Sequence, residues 1–254
     1  MKSAAIIVGS FFLFVTFHAT VLAQNILFEF TGDSAGDRLG WSVGGGRDLD
    51  GDGVDDLIAG APLDDDNSMS SGMARVYSGA DGTTHCTVRG DSVSDVFGWS
   101  AATIPDIDGD GRADFVIGAP FDDSTFGNEG SARFFSGADC TLIDQVFGGG
   151  LQAHFGDSLN YAGDVNDDGV ADVIVGAPQD DQFDPGNGFA RVLSGSTRAV
   201  LYTFNGAALL DRFGAGAAGA GDVDNDGYDD VIVGAPRSGT GGQSGYAVVY
   251  SGRT

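Results

Sequence analysis

The chain repeats itself every 58 residues, and that period limits its fold more than any other property of the sequence. Gly-Ala-Pro recurs at Gly60-Ala61-Pro62, Gly118-Ala119-Pro120, Gly176-Ala177-Pro178 and Gly234-Ala235-Pro236. Upstream, Leu39-Gly40, Phe97-Gly98, Phe155-Gly156 and Phe213-Gly214 keep the same step. Downstream, Ser78-Gly79, Ser136-Gly137, Ser194-Gly195 and Ser251-Gly252 keep it to within one residue. The chain is therefore four copies of one structural unit.

Between these markers each unit reads as four short strands separated by turn chemistry, with no competing helical period. Strand A is small and Gly-rich, as in Ala215-Gly216-Ala217-Ala218-Gly219-Ala220. Strand B is an apolar run such as Asp172-Val173-Ile174-Val175, strand C alternates as in Ala190-Arg191-Val192-Leu193, and strand D is Leu201-Tyr202-Thr203-Phe204 and its equivalents. Four-stranded antiparallel units at a fixed period predict an all-β propeller, with strand A at the crowded axis where small side chains fit. A solenoid is the competing architecture. Ile26-Leu27-Phe28-Glu29-Phe30 resembles a strand D with no A, B or C before it, and the last unit ends before its own D. The expectation is that this N-terminal strand completes the last blade and closes the ring, removing two exposed sheet edges. The alternative is that the chain is a fragment of a larger propeller.

Between strands A and B every unit carries a nine-residue acidic loop, at 48–56, 106–114, 164–172 and 222–230. Oxygen-bearing side chains occupy positions one, three, five and nine: Asp48, Asp50, Asp52 and Asp56; Asp106, Asp108, Asp110 and Asp114; Asp164, Asn166, Asp168 and Asp172; Asp222, Asp224, Asp226 and Asp230. Position seven, Val54, Arg112, Val170 and Tyr228, would add a backbone carbonyl. Ca²⁺ takes six to eight hard oxygen ligands, which this alternation in a tight loop supplies, with the last Asp bidentate. Position six is Gly in every copy, as a sharp turn with positive φ requires. Asp55 aligns with Ala113 and Ala171 and is excluded from the ligand set. The loops offer no Cys or His for Zn²⁺, and Mg²⁺ prefers to keep its waters. Up to four Ca²⁺ ions are expected.

The first 23 residues stand apart. Lys2 precedes an apolar run, Ala4 to Val15, followed by Val21-Leu22-Ala23, the pattern of a signal peptide cleaved before Gln24. The propeller is then residues 24–254 of a secreted protein, with no membrane insertion. Without the leader, 11 arginines face 37 acids, a formal charge of −26 that disfavours nucleic acid. All but Glu29 and Glu129 of those acids are Asp, a choice that suits short-reach ligation. Cys86 and Cys140 occupy different repeat offsets in blades that diverge outward, so a disulfide between them is not expected. His85 and His154 join no Ser/His/Asp set, and no catalytic residue is nominated; the protein is not expected to be an enzyme.

These motifs, Phe-Gly, the Asp-rich loop and Gly-Ala-Pro in that order within each copy, resemble the FG-GAP repeats of the integrin alpha-subunit propeller over the whole mature chain. Leu39 replaces Phe in the first copy. The resemblance implies an extracellular propeller with Ca²⁺ in its A–B loops, used for adhesion or ligand recognition. Integrin propellers have seven blades and this chain supplies four. Strand parity puts the metal loops and Ser-Gly turns at one end of the blades and the B–C and D–A loops at the other. The latter are the expected surface for an extracellular protein or glycan ligand, with Asp64-Asp65, Asp122-Asp123, Asp180-Asp181, Phe126 and Phe183 upon it. Arg89-Gly90-Asp91 is taken as a repeat position that follows an arginine. The alternative function is an accessory or catalytic propeller of an exported carbohydrate-active enzyme.

Overall fold

The computed structural model describes residues 25–124, 127–178, 186–238 and 243–253. The expected leader, Phe126, Phe183 and Asp180-Asp181 lie outside them. Residues up to Phe30 form one unit and those from Thr31 another, and the second carries every strand of the described residues. Blade 1 is β1 (Ser42–Arg47), β2 (Asp56–Ala61), β3 (Met73–Tyr77) and β4 (Thr84–Arg89). Blade 2 is β5 (Ser100–Ile104), β6 (Asp114–Ala119), β7 (Ser131–Phe135) and β8 (Leu142–Phe147). Blade 3 is β9 (Ser158–Gly163), β10 (Asp172–Ala177), β11 (Phe189–Leu193) and β12 (Val200–Asn205). Blade 4 is β13 (Gly216–Gly221), β14 (Asp230–Ser238) and β15 (Gln243–Tyr250). Each sheet is an antiparallel meander in chain order. Among the described residues no helix is long and apolar enough to cross a membrane.

The burial pattern explains the strand types. Strands β6 and β10 are buried on both faces, which is why they read as unbroken apolar runs rather than alternations. The outer strands β8 and β12 are half-buried or exposed. Strand β1 packs on β5, β5 on β9 and β9 on β13, so the Gly/Ala-rich strands line the inside of the blade stack. Their small side chains are required there: a Cβ on Gly219 would lie 2.8 Å from the Tyr161 carbonyl of the preceding blade.

The hydrophobic core sits between blades rather than within them. One cluster joins Ile58, Ala74 and Val76 of blade 1 to Phe115, Ile117 and Phe135 of blade 2. A second joins Val116 and Phe134 to Val173 and Leu193, and a third joins Ile174 and Val192 to Val231 and Val233. Each Phe-Gly marker is the wedge of one such junction. Phe97, Phe155 and Phe213 are fully buried and bridge in parallel to Gly72, Gly130 and Gly188 of the preceding blade. The carbonyl of the following glycine then enters the preceding blade. It accepts the hydroxyl of Ser42 at 2.8 Å, of Ser100 at 2.6 Å and of Ser158 at 2.8 Å in the three junctions. The glycine of each Gly-Ala-Pro is what lets it in, since a Cβ on Gly60, Gly118 or Gly176 would meet that oxygen at 2.0–2.1 Å.

Two expectations are corrected here. Residues 26–30 carry no strand, and among the described residues blade 4 has three strands rather than four. The run Ile26-Leu27-Phe28 lacks the alternation that commits one face to a sheet, and apolar composition without a hydrogen-bonded neighbour does not make a strand. Closure of the ring is not seen among the described residues, and apolar residues are exposed on the outer faces of blades 1 and 4. The second correction is the disulfide: Cys86 and Cys140 are bonded, with Cα atoms 6.5 Å apart. Blades do diverge outward, but β4 of blade 1 abuts the β7–β8 turn of blade 2. There His85 Nε2 lies 2.9 Å from the Gly137 carbonyl, and both sulfurs pack against the first core cluster.

Candidate metal centres

Each acidic loop is the tip of an A–B hairpin. It is wound by its own carboxylates, which accept backbone N–H groups at fixed offsets. At position one, Asp48, Asp106, Asp164 and Asp222 accept the N–H of the position-six glycine at 2.8–3.0 Å. At position three, Asp50, Asp108, Asn166 and Asp224 accept the N–H of position five at 3.0–3.2 Å. At position five, Asp52, Asp110, Asp168 and Asp226 accept the N–H of position seven, Val54, Arg112, Val170 and Tyr228, at 2.8–3.0 Å. The position-six glycines have φ of 84–95°. Position four is left-handed too, at Gly51, Gly109, Asp167 and Asn225, with φ of 57–86°. Its restriction to Gly, Asp and Asn, the residues that tolerate this conformation, was the available signal.

The closing carboxylates of Asp56, Asp114, Asp172 and Asp230 are buried and do more than end the loop. One oxygen accepts the N–H of position two, Leu49, Ile107, Val165 and Val223, at 2.7–2.9 Å. The other accepts the N–H of Gly79, Gly137, Gly195 and Gly252 in the Ser-Gly turn at 2.9–3.1 Å. The acidic loop and the Ser-Gly turn therefore share one end of each blade through a single side chain. Burial pushes the carboxyls of Asp114 and Asp172 up to about 6; their backbone N–H donors oppose this and the neighbouring loop acids add to it.

In three loops the carboxylates of positions one, three and nine converge. Asp48, Asp50 and Asp56 each bring one oxygen within 4.8 Å of the others, as do Asp106, Asp108 and Asp114, and Asp222, Asp224 and Asp230. Position five stands apart, turned toward a hydroxyl of the Ser-Gly turn: Ser78 at 3.4 Å, Ser136 at 3.2 Å, Ser196 at 3.1 Å and Ser251 at 3.5 Å. The third loop differs because Asn166 replaces the position-three acid and donates to Asp168 at 3.0 Å. The donor set fits a hard divalent cation. An oxygen that accepts one N–H keeps a second lone pair, and all donors are oxygen. The ion pairs of the described residues, made by Arg75, Arg89 and Arg133, involve none of these loop carboxylates.

At that other end the expected acidic pairs divide. Asp64 and Asp122 are buried, whereas Asp65 and Asp123 are exposed. Asp122 accepts from Arg133 Nη2 at 2.6 Å, Ser131 Oγ at 2.5 Å and Gln145 Nε2 at 2.8 Å, so it braces blade 2 rather than facing a ligand. Arg89-Gly90-Asp91 is engaged within the chain: Asp91 pairs with Arg133 at 2.7 Å and Arg89 with Asp66 at 3.4 Å. His154 is buried edge-on to Phe121. A residue missed by sequence reasoning is Asp229 at position eight, whose Oδ2 accepts the N–H of Asp164 across the junction of blades 3 and 4 at 2.8 Å. Its signal was that units one and four carry Asp there while the others carry Ala.

Comparison with known proteins places these motifs. The chain is 33% identical over 214 residues to integrin alpha-V of Gallus gallus, covering 78% of this chain and 20% of that protein. It is 30% identical over 237 residues to integrin alpha-8 of Gallus gallus, covering 85% and 21%, and 30% identical over 246 residues to integrin alpha-4 of Xenopus laevis, covering 89% and 22%. The chain spans about a fifth of the length of these curated relatives. The FG-GAP repeat family matches residues 39–80, 97–134, 160–193 and 213–250, one segment in each blade. With the acidic hairpin and the Gly-Ala-Pro entry in every copy and the Phe wedge in three of the four, the chain belongs to the FG-GAP repeat family.

Proposed function

We propose that the protein is a secreted, non-catalytic recognition module whose A–B loops hold up to four Ca²⁺ ions, and that the ions brace the blades. The convergence of three carboxylates in each of loops one, two and four carries this reading. Like charges at that spacing repel, and a divalent cation converts the repulsion into attraction. Positions one, three and nine would hold the ion, and Asp56, Asp114, Asp172 and Asp230 would pass its effect to the Ser-Gly turns they already grip. Membership of the FG-GAP family supports recognition of an extracellular protein or glycan. The B–C and D–A loops, at the end away from the A–B loops, are the surface proposed for it.

The metal is tested by calorimetric titration of metal-stripped protein with CaCl₂ and by thermal melts with and without EDTA. At free Ca²⁺ a hundredfold above the dissociation constant, each occupied site adds ~2.7 kcal/mol to folding stability. A marked fall in melting temperature on chelation is expected. No heat of binding and a melt indifferent to EDTA would reject calcium. Recognition is tested on glycan and protein arrays with and without Ca²⁺, and turnover of a bound glycan would reject the non-catalytic reading.

A further inference from the structure

Blade 4 presents the same surface that blades 1 to 3 use to receive the next blade, and among the described residues no blade covers it. Val223, Ile232 and Val249 on that face are 58%, 37% and 48% exposed. Their counterparts one blade earlier, Val165, Ile174 and Val192, are at most 1% exposed because blade 4 packs on them. Pro236, Tyr246 and Ala247 border an open apolar groove of about 470 Å³ beside Gly234. Blade 1 is the mirror case. Val43 and Leu57 are 73% and 38% exposed, whereas their counterparts in blade 3, Leu159 and Val173, are buried against blade 2. The chain thus carries both halves of one junction, at opposite ends of its blade series, and builds that junction three times internally.

We propose that a second copy of this chain docks head to tail on these faces. Blade 1 of each copy would sit on blade 4 of the other, and the two arcs would close one eight-bladed ring. Complementarity is the argument for this occupant, because the surface that fits a face made of FG-GAP strands is the one seen in the internal junctions. A polar contact points the same way. Asp229 bonds the N–H that opens the preceding loop, and Asp55, its exposed counterpart in blade 1, is placed to do so to Asp222 of the partner subunit. Eight blades lie within the range that propellers adopt, and a head-to-tail contact needs such closure to stop at two copies.

Two substitutions make this junction weaker than the internal ones. Leu39 stands where the others have a Phe wedge, and Gly216 stands where they have the serine that binds the incoming carbonyl. The dimer is therefore reversible and concentration-dependent. The formal charge of −25 opposes it at low ionic strength, so the measurement belongs at ~0.15 M salt, where the screening length is ~8 Å.

Sedimentation velocity on the purified protein with two variants tests the proposal. In Gly234→Ala the new Cβ has only the Gly216 oxygen near it, at 3.7 Å, so the arc folds as before. The same Cβ would block the partner's Gly40 carbonyl, since the counterparts of Gly234 meet that oxygen at 2.0–2.1 Å. Gly216→Ser restores the missing donor in both junctions and tightens association about tenfold or more. A parent dimer, a monomeric Gly234→Ala with unchanged circular dichroism, and a tighter Gly216→Ser are expected. A parent that stays monomeric at every concentration, a dimer that Gly234→Ala leaves intact, or a Gly216→Ser that does not tighten overturns it.

Discussion

Alanine at Gly118 should destabilise the protein by about 4 kcal/mol, a large fraction of the stability of an ordinary domain. Its Cβ would lie 2.1 Å from the Gly156 carbonyl oxygen and 2.3 Å from Ser100 Oγ. Normal contact needs about 1 Å more, so blades 2 and 3 must part along their shared core or the carbonyl must retreat. Forcing a methyl into a packed interior costs about 1–3 kcal/mol. The retreat also breaks the buried hydrogen bond from Ser100 Oγ to Gly156, 2.6 Å in length, and an unsatisfied buried group costs a further ~1–3 kcal/mol. With a urea slope of ~3 kcal/mol/M, the midpoint falls by about 1.3 M. Gly216→Ala is the matched control, because nothing lies within 4 Å of its Cβ, and its midpoint should hold. A loss below ~1 kcal/mol for Gly118→Ala would refute the claim that each Gly-Ala-Pro glycine is a port for the next blade.

Burial raises the carboxyl of Asp95 to about 7, among Asp91, Asp122, Arg133 and the Ser92 N–H that it accepts. A raised folded value gives stability that is full below about pH 4 and is lost as pH rises through about 7. Asp95→Asn escapes that loss, so its stability advantage over the parent should grow from nearly nothing at pH 4 to a maximum above pH 7. A difference in melting temperature that is flat or falls with pH contradicts it. The Cys86–Cys140 bridge spans 54 residues of sequence, and the chain-entropy relation gives ~4 kcal/mol for a loop of that size. Replacing both cysteines with alanine should lower the urea midpoint accordingly; a loss under ~1 kcal/mol would make the bridge incidental.

The acidic loops were legible because four copies in register separate the required from the incidental. Gly53 and its counterparts stood out as turn residues, and Asp56 was distinguished from Asp55. What a repeat cannot display is a contact between its copies. The cysteines sit at unlike offsets, so nothing in the alignment relates them, and only the meeting of β4 with the β7–β8 turn brings them together. Asp229 was missed for the same reason: its partner, the Asp164 N–H, belongs to another blade. Asp122 read as surface because its loop is polar, yet Arg133, Ser131 and Gln145 draw it inside. Residues 26–30 show the converse error, where apolar composition stood in for a pairing that the sequence does not specify.

The placement of every core cluster between two blades bears on how such a chain changes length over evolutionary time. In a domain with one central core, an inserted segment disturbs packing that already exists. Here one added 58-residue copy brings one added junction, complete with wedge, port and carbonyl clasp, and leaves the others as they were. Tandem duplication is then the smallest genetic step that supplies an entire hydrophobic core. Loss of a copy is equally clean, and selection can vary blade number without first solving a new packing problem.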